Sequence, residues 1–155
     1  MKISAQEEYG LRILIRIAKA DAEEGLSIQQ LSEAEGLSGA YVAKLTRMLR
    51  MAGAIQSQRG QKGGYILARP TTEIFIKEVL YSLGGALYDK AFCDDHTGSL
   101  RLCTNSVDCS VRSLWRMVQV AVDRLLEKVT LQDLMASEKD SVSGLQRLLE
   151  ENALI

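Results

Sequence analysis

Between Ser27 and Gly53 the chain is punctuated so closely that it has room for two short helices and a tight turn, and for little else. Ser27 followed by Gln30 has the spacing of a capping box. The hydroxyl accepts from the amide three residues on, while the Gln side chain reaches back to the cap amide. A short helix therefore starts at Ser27, presents Ile28 and Leu31 to a core, and stops at Gly36, where positive φ carries no Cβ penalty. Ser38 is the next N-cap. Val42, Leu45 and Leu49 recur at helical spacing as the buried stripe of a second helix, which leaves Gly39, Ala40, Tyr41, Ala43, Lys44, Arg47 and Arg50 on or near its other faces. Gly53 ends that helix. Two short helices joined by a tight glycine-containing turn predict a helix-turn-helix, whose second member enters a major groove by its N-terminal end.

The residues after the pair extend the pattern. Ile55-Gln56-Ser57-Gln58 and Tyr65-Ile66-Leu67 are strand-like runs, and the loop between them, Arg59-Gly60-Gln61-Lys62-Gly63-Gly64, is free of acids and tipped with cations. It reads as the wing of a winged helix, with small neighbours that let Arg59 approach a narrow minor groove. Charge points the same way. From Gly36 to Thr72 there are six basic side chains (Lys44, Arg47, Arg50, Arg59, Lys62, Arg69) and no acid, in a chain of formal net charge −1. That window carries +6, so the remaining residues carry −7.

A basic stripe on an otherwise acidic chain is the electrostatic footprint of phosphate binding, whereas evenly spread charge marks only solubility. A solvated helix face would account for the charges alone, and a surface hairpin for the loop alone. The agreement of helix pair, wing and charge favours double-stranded DNA. Lys44, Arg47, Arg50, Lys62 and Arg69 are the expected phosphate contacts, and Ser38 with the amides that follow it favours a phosphate through the helix dipole. Gly39, Ala40 and Tyr41 are expected to face bases and Arg59 to lie in the minor groove. Few of these side chains make a bidentate base contact, so shape readout by the wing should carry part of the specificity.

The rest of the chain predicts a mainly α protein: a winged helix-turn-helix domain with a small β wing, plus a long C-terminal dimerisation helix. Ser4 to about Ala20 is an amphipathic helix, with Leu11, Leu14, Ile15 and Ala18 in one stripe and Gly10, Ile13 and Ile17 beside it. Pro70 breaks the chain, and Ile74, Ile76, Val79, Leu80 and Leu83 support a strand turn and a helix up to Gly84-Gly85. From Ser110 to about Lys128 comes the strongest periodicity: Val111, Leu114, Trp115, Val118, Val122, Leu125, Leu126 and Val129. Such a helix either covers its own winged helix as an intramolecular bundle or pairs with its copy in a second chain. The dimer is favoured, because groove-reading modules work as two-fold pairs.

Thr130 and Asp133 cap one more short helix through Leu134. The organisation expected is 1–83 winged helix-turn-helix, 84–109 cysteine-containing sensor loop, 110–135 dimerisation helix with a short following helix, and 136–155 a mobile or loosely docked tail. At 155 residues and 46% hydrophobic the chain has material for a real core. No apolar stretch approaches the ~20 residues of a membrane span, and an N-terminus with Lys2, Gln6, Glu7 and Glu8 has no secretory apolar region. A cytoplasmic location and no membrane partner are expected.

Cys93, Cys103 and Cys109, the only cysteines, fall within a 17-residue window. In a cytosolic protein such a group points to metal binding or redox chemistry rather than a disulfide framework, which would leave one thiol over. Thiolates select soft metals, iron-sulfur clusters and zinc first. The C-x9-C-x5-C spacing lacks the C-x2-C pairs of zinc ribbons, which disfavours zinc. Three thiolates also leave a four-ligand site one donor short. His96, the sole histidine, is the local candidate and Glu8 the more distant one. Ordinary free cysteines, or a Cys103 to Cys109 disulfide, are the alternative. A thiol enzyme would need an activated nucleophile and an oriented base, yet His96 has no phosphate cradle or third orienting group beside it, so no catalytic residues are expected.

Taken in order, these residues resemble the Rrf2 family of bacterial winged-helix transcriptional regulators, of the IscR, NsrR and RirA type. The resemblance runs from Met1 to about Met135. It is carried by Leu31-Ser32-Glu33 to Gly36-Leu37-Ser38, Tyr41-Val42, Leu45, Leu49, Gly53, Arg59-Gly60, Gly63-Gly64-Tyr65-Ile66-Leu67, the cysteine triplet, and Leu114-Trp115 opening a long helix. It implies a homodimer that binds a palindromic operator and senses iron, cluster supply, nitric oxide or redox state, in several members through an iron-sulfur cluster of the 2Fe-2S or 4Fe-4S kind.

By this resemblance Cys93, Cys103 and Cys109 match the cluster ligands, and Glu8 matches a carboxylate that some members contribute from the partner subunit. Members with a histidine three residues after the last cysteine differ from this chain, which has Arg112 there. The gap between Cys93 and Cys103 is also longer than is common in cluster-holding members, which leaves room for a cluster-free thiol/disulfide switch. A winged helix used only as a protein-interaction module would not need the +6 window. A glutamate that helps one branch choose between operators is replaced by Ala43, so operator preference does not carry over.

Overall fold

The computed structural model describes residues 3–20, 24–59, 63–89, 91–97, 99 and 102–152. Helix α1 (Ala5–Lys19) starts at Ser4 through a complete capping box with Glu7. Its buried residues are Gly10, Ile13, Leu14 and Ile17. Leu11, Ile15 and Ala18, expected at the centre of the stripe, are only half-buried. The face is rotated because α1 is covered from two sides. The helix-turn-helix packs on one flank, and on the other Gly10 lies directly against the Leu83 side chain of a later helix.

The helix-turn-helix forms where its caps place it. Helix α2 (Ile28–Glu35) opens with the Ser27–Gln30 capping box and closes at Gly36, whose φ of 66° is the left-handed conformation that a Cβ disfavours. Helix α3 (Gly39–Met51) begins at Ser38, whose hydroxyl accepts from the Tyr41 amide at 3.3 Å. Strands β1 (Ile55–Gln58) and β2 (Gly64–Leu67) pair antiparallel, with Ile55 opposite Leu67 and Gln58 opposite Gly64. Leu26 bridges to Tyr65 beside them. Gly64 is needed at this crossing, since a Cβ would come within 2.6 Å of the Leu26 carbonyl carbon.

After Pro70 a 3-10 turn (Thr71–Glu73) leads into α4 (Ile76–Leu83), then α5 (Ala91–Asp95), α6 (Ser110–Leu126), α7 (Leu131–Leu134) and α8 (Glu138–Asn152). The strand turn read at Ile74 pairs with the chain beyond α6: Leu131 donates to the Ile74 carbonyl and Ile76 to that of Val129, each at 2.9 Å. Thr130 and Asp133 form the capping box of α7. The stretch expected to be a mobile or loosely docked tail is helical, with Leu145 and Leu148 against the edge of the core and the Ser141 hydroxyl donating to the Asp133 carbonyl at 2.9 Å.

One core joins the first four helices, the sheet and α7. Ile13, Leu14, Leu31, Val42, Leu45, Leu49, Ile74 and Leu131 have no exposed surface, and burial of each such side chain contributes about 1.5–3 kcal/mol. Arg12 and Arg16 of α1 both engage Glu35 at the end of α2; the Glu35 side chain is 2% exposed, so its burial is offset by two cations. The result is a rigid seat for α3. The architecture is mainly helical with a two-stranded antiparallel sheet, a winged helix-turn-helix.

Candidate nucleic-acid interface and cysteine segment

Val42, Leu45, Thr46 and Leu49 hold one side of α3 in the core, with the Thr46 hydroxyl donating to the Val42 carbonyl at 3.0 Å. That anchoring leaves Lys44, Arg47 and Arg50 exposed, with no hydrogen bond or ion pair from these side chains among the described residues. Among the described residues no acid neutralises their charge. Gly39 and Ala40 are exposed in the first turn, where helical amides lack carbonyl partners and face an incoming anion. Arg59 is exposed directly after β1. Lys62 lies outside the described residues, as do Gly60 and Gln61.

Two expected contacts are placed differently. Tyr41 is half-buried, its ring edge-on to Tyr9 of α1 at 6.2 Å between centroids, and so part of the α1–α3 seam. Arg69 is engaged by Glu78 of α4 at 2.8 Å and by the Gly53 carbonyl at 3.2 Å, which makes it a clasp between the end of α3 and α4 rather than a free phosphate contact. Both departures come from tertiary partners distant in sequence.

The three cysteines are half-buried free thiols on different supports. Cys93 lies in α5, Cys103 in the connection, and Cys109 is the N-cap of α6, its Sγ accepting from the Arg112 amide at 3.3 Å. Tyr88 Oη lies 3.1 Å from Cys93 Sγ, and this contact is the first cause that holds the Tyr88 hydroxyl above the usual tyrosine range. His96 stacks on Phe92 at 4.1 Å between ring centroids, with Nδ1 2.8 Å from the Phe92 carbonyl.

Among the described residues no three His, Cys, Asp or Glu side chains come together as a metal site. Three soft thiols have the chemistry an iron-sulfur group requires, but their arrangement within one chain does not form its ligand set. Glu8 is exposed on α1 and lines a cavity of about 450 Å³ between α1, α4 and α6, with Leu11, Leu80, Tyr81, Gln119 and Leu126 also in its wall.

Helix α6 has no fully buried residue. Val111 (58% exposed), Leu114 (56%), Trp115 (40%), Met117 (65%) and Val120 (41%) leave an apolar face without a partner among the described residues. Its opposite edge is polar and locked to α4. Tyr81 Oη donates to the Asp123 carboxylate at 2.9 Å, and Gln119 Nε2 donates to both Tyr81 Oη and Asp123. Burial first, and then the bond to Asp123, holds the Tyr81 hydroxyl above its usual range. The Lys77 ammonium is raised chiefly by its hydrogen bond to Glu127. Sequence reasoning missed this network; its one signal was the pair of polar residues, Gln119 and Asp123, one turn apart beside the apolar stripe of α6.

A capped helix pair, a wing beside it and an exposed cationic surface define a winged-helix regulator. Known proteins specify it further. The profile of the Rrf2 family, described as iron-dependent transcriptional regulator, matches residues 3–137. The chain belongs to the Rrf2 family of transcriptional regulators. It is 35% identical over 135 residues to the protein rrf2 of Nitratidesulfovibrio vulgaris, covering 87% of each. It is 31% identical over 134 residues to the HTH-type transcriptional regulator CymR of Bacillus subtilis, covering 86% of this chain and 89% of that one.

Two solved structures share the fold. That of CymR (YrzC), the global cysteine regulator of B. subtilis, superimposes with a TM-score of 0.68 at 29% identity, over 87% of this chain and 96% of that one. The IscR of T. potens gives 0.66 at 30% identity, over 87% and 86%. No helix among the described residues is long and apolar enough to cross a membrane.

Proposed function

We propose that the protein is a homodimeric, sequence-specific DNA-binding regulator whose affinity for a palindromic operator is set by the state of its three cysteines. The observation that carries this reading is the exposed set Lys44, Arg47, Arg50 and Arg59 around α3 and the wing, without an ion-pair partner among the described residues, on a chain of net charge −1. Phosphates are the partner such a patch attracts. The apolar face of α6 supports the second copy, because two-fold pairing buries it and sets two recognition helices at half-site spacing.

Cysteine sensing is supported by where the thiols sit. Cys109 caps the helix with the exposed apolar face, and Cys93 touches Tyr88, so a covalent or coordinative change at either thiol acts on α6 or on what packs against it. A thiol switch is the leading form, since the three thiols are not gathered within one chain. A cluster held by Cys93, Cys103, Cys109 and the carboxylate of Glu8 from a second subunit is the other form, favoured by the soft donor set and the iron-dependent description of the family profile. Such a group would supply redox- and iron-responsive ligation.

Selection from a randomised duplex pool, followed by an anaerobic visible spectrum with iron, sulfide and thiol analysis, tests both halves. The expected result is a palindromic site holding two protomers, with three titratable thiols whose alkylation changes affinity. Iron and sulfide in stoichiometric amounts with the thiols blocked would give the cluster form instead. A protein that binds all duplexes alike would sink operator recognition.

A further inference from the structure

Cys93 and the recognition helix are joined by a series of polar contacts that passes through one amide. Tyr88 Oη lies 3.1 Å from Cys93 Sγ, and the backbone N–H of the same Tyr88 donates to Gln119 Oε1 at 2.8 Å. Gln119 Nε2 donates to Asp123 Oδ1 at 2.7 Å and to Tyr81 Oη at 3.0 Å. Tyr81 and Lys77, whose Nζ lies 3.4 Å from Asp123, both belong to α4. The residue after Tyr81, Ser82, donates to the carbonyl of Met48 in the last turns of α3 at 3.0 Å. The cysteine segment is thus keyed to α6, α6 to α4, and α4 to α3.

Glutamine suits this position on both sides. The Tyr88 N–H demands an acceptor and the Asp123 carboxylate demands a donor, and a primary amide supplies one of each. Those two partners also fix which end of the amide is oxygen. A carboxylate at 119 would still accept from Tyr88 but would meet Asp123, four residues on, with like charge. Gln119, Tyr81 and Asp123 also line the cavity between α1, α4 and α6. That free volume gives the side chains room for a second arrangement, which a close-packed core would deny them.

We propose that Gln119 is the positioning residue through which the state of Cys93 sets the pose of α4 and α3, and hence affinity for DNA. The inference rests on the cysteine-sensing reading above. When Cys93 Sγ is engaged elsewhere, Tyr88 loses its hydroxyl partner, the 86–89 segment moves, and the amide of Gln119 is released from the α4 network.

Operator affinity, read by fluorescence anisotropy on the duplex selected by the full-length chain, tests the relay in C93A, Q119E, C93A/Q119E and Q119E/D123N. The first two should each change Kd by about 5-fold in the same direction, and the C93A/Q119E chain by no more than the larger single effect. Q119E/D123N exchanges donor for acceptor at unchanged net charge, and should return to within about twofold of wild type. Effects that multiply in C93A/Q119E, or a Q119E/D123N chain no better than Q119E, overturn the relay and leave cysteine sensing standing. A silent C93A also overturns it. If the chain lacking all three cysteines is silent as well, the sensing reading falls with it. Gln119 is half-buried on a helix and Glu keeps its shape, so these variants retain the fold.

Discussion

Replacing Leu114 and Trp115 with glutamate is expected to yield a monomer whose operator affinity is lower by on the order of 100-fold or more. Both side chains stand at the centre of the exposed apolar face of α6, at 56% and 40% exposure. In a two-fold pair each is present twice, and a few buried aromatic and apolar anchors carry most of the energy of such an interface. Introducing four carboxylates there places unpaired charge where apolar surface should be dry. The weaker binding follows from linkage, with the DNA-reading surface itself intact. One recognition helix without its copy forfeits the effective-concentration gain of a joined second site, about 10²–10⁴.

The winged helix itself should be unaffected, since α6 contributes no fully buried side chain to the core. Light scattering reads the assembly state, and anisotropy on the selected duplex reads the affinity. A double variant that remains dimeric, or a monomeric one that binds as the wild type does, would place the interface elsewhere.

Replacing Arg47 and Arg59 with alanine is expected to lower operator affinity about 10- to 100-fold and to leave the thermal midpoint nearly unchanged. Both arginines are exposed, and neither has a hydrogen-bonded or ionic partner among the described residues, so their removal leaves nothing buried and unsatisfied. For every phosphate no longer neutralised, the salt dependence should also become shallower by about one unit of slope. Arg69→Ala is the informative control. Because Arg69 is held by Glu78 and the Gly53 carbonyl, its removal should cost about 0–1 kcal/mol of stability and leave the salt slope alone. Equal reductions of affinity from all three substitutions would mean that net charge, and not the arrangement around α3, is what DNA reads.

What the sequence disclosed was what local chemistry decides. The boxes at Ser27–Gln30 and Thr130–Asp133, the Ser38 cap and the left-handed stop at Gly36 each depend on residues within one turn, and all stand where they were read. The stripe of α3 was equally legible, because Val42, Leu45 and Leu49 repeat at the helical period. Tyr41 and Arg69 were not, since Tyr9 lies 32 residues before Tyr41 and Glu78 sits in the following helix, and no periodicity announces either contact. The rotated face of α1 has the same origin, a neighbour at Leu83.

Helix α8 was legible only as a weak Leu145, Leu148 and Leu149 stripe among charged residues, and Leu145 and Leu148 of that stripe lie against the core. The cysteines show the limit most clearly. Their clustering in sequence was plain, yet order along the chain does not decide whether three thiols share a site in space.

Whether the cationic face of α3 and the wing grips duplex DNA is read from the salt dependence of binding to the selected duplex. Two protomers, each presenting Lys44, Arg47, Arg50 and Arg59, should give a plot of log affinity against log salt with a slope steeper than about −4, at roughly −0.9 per phosphate neutralised. A line that stays flat between about 50 and 200 mM salt would contradict it, and would leave the face to a protein partner.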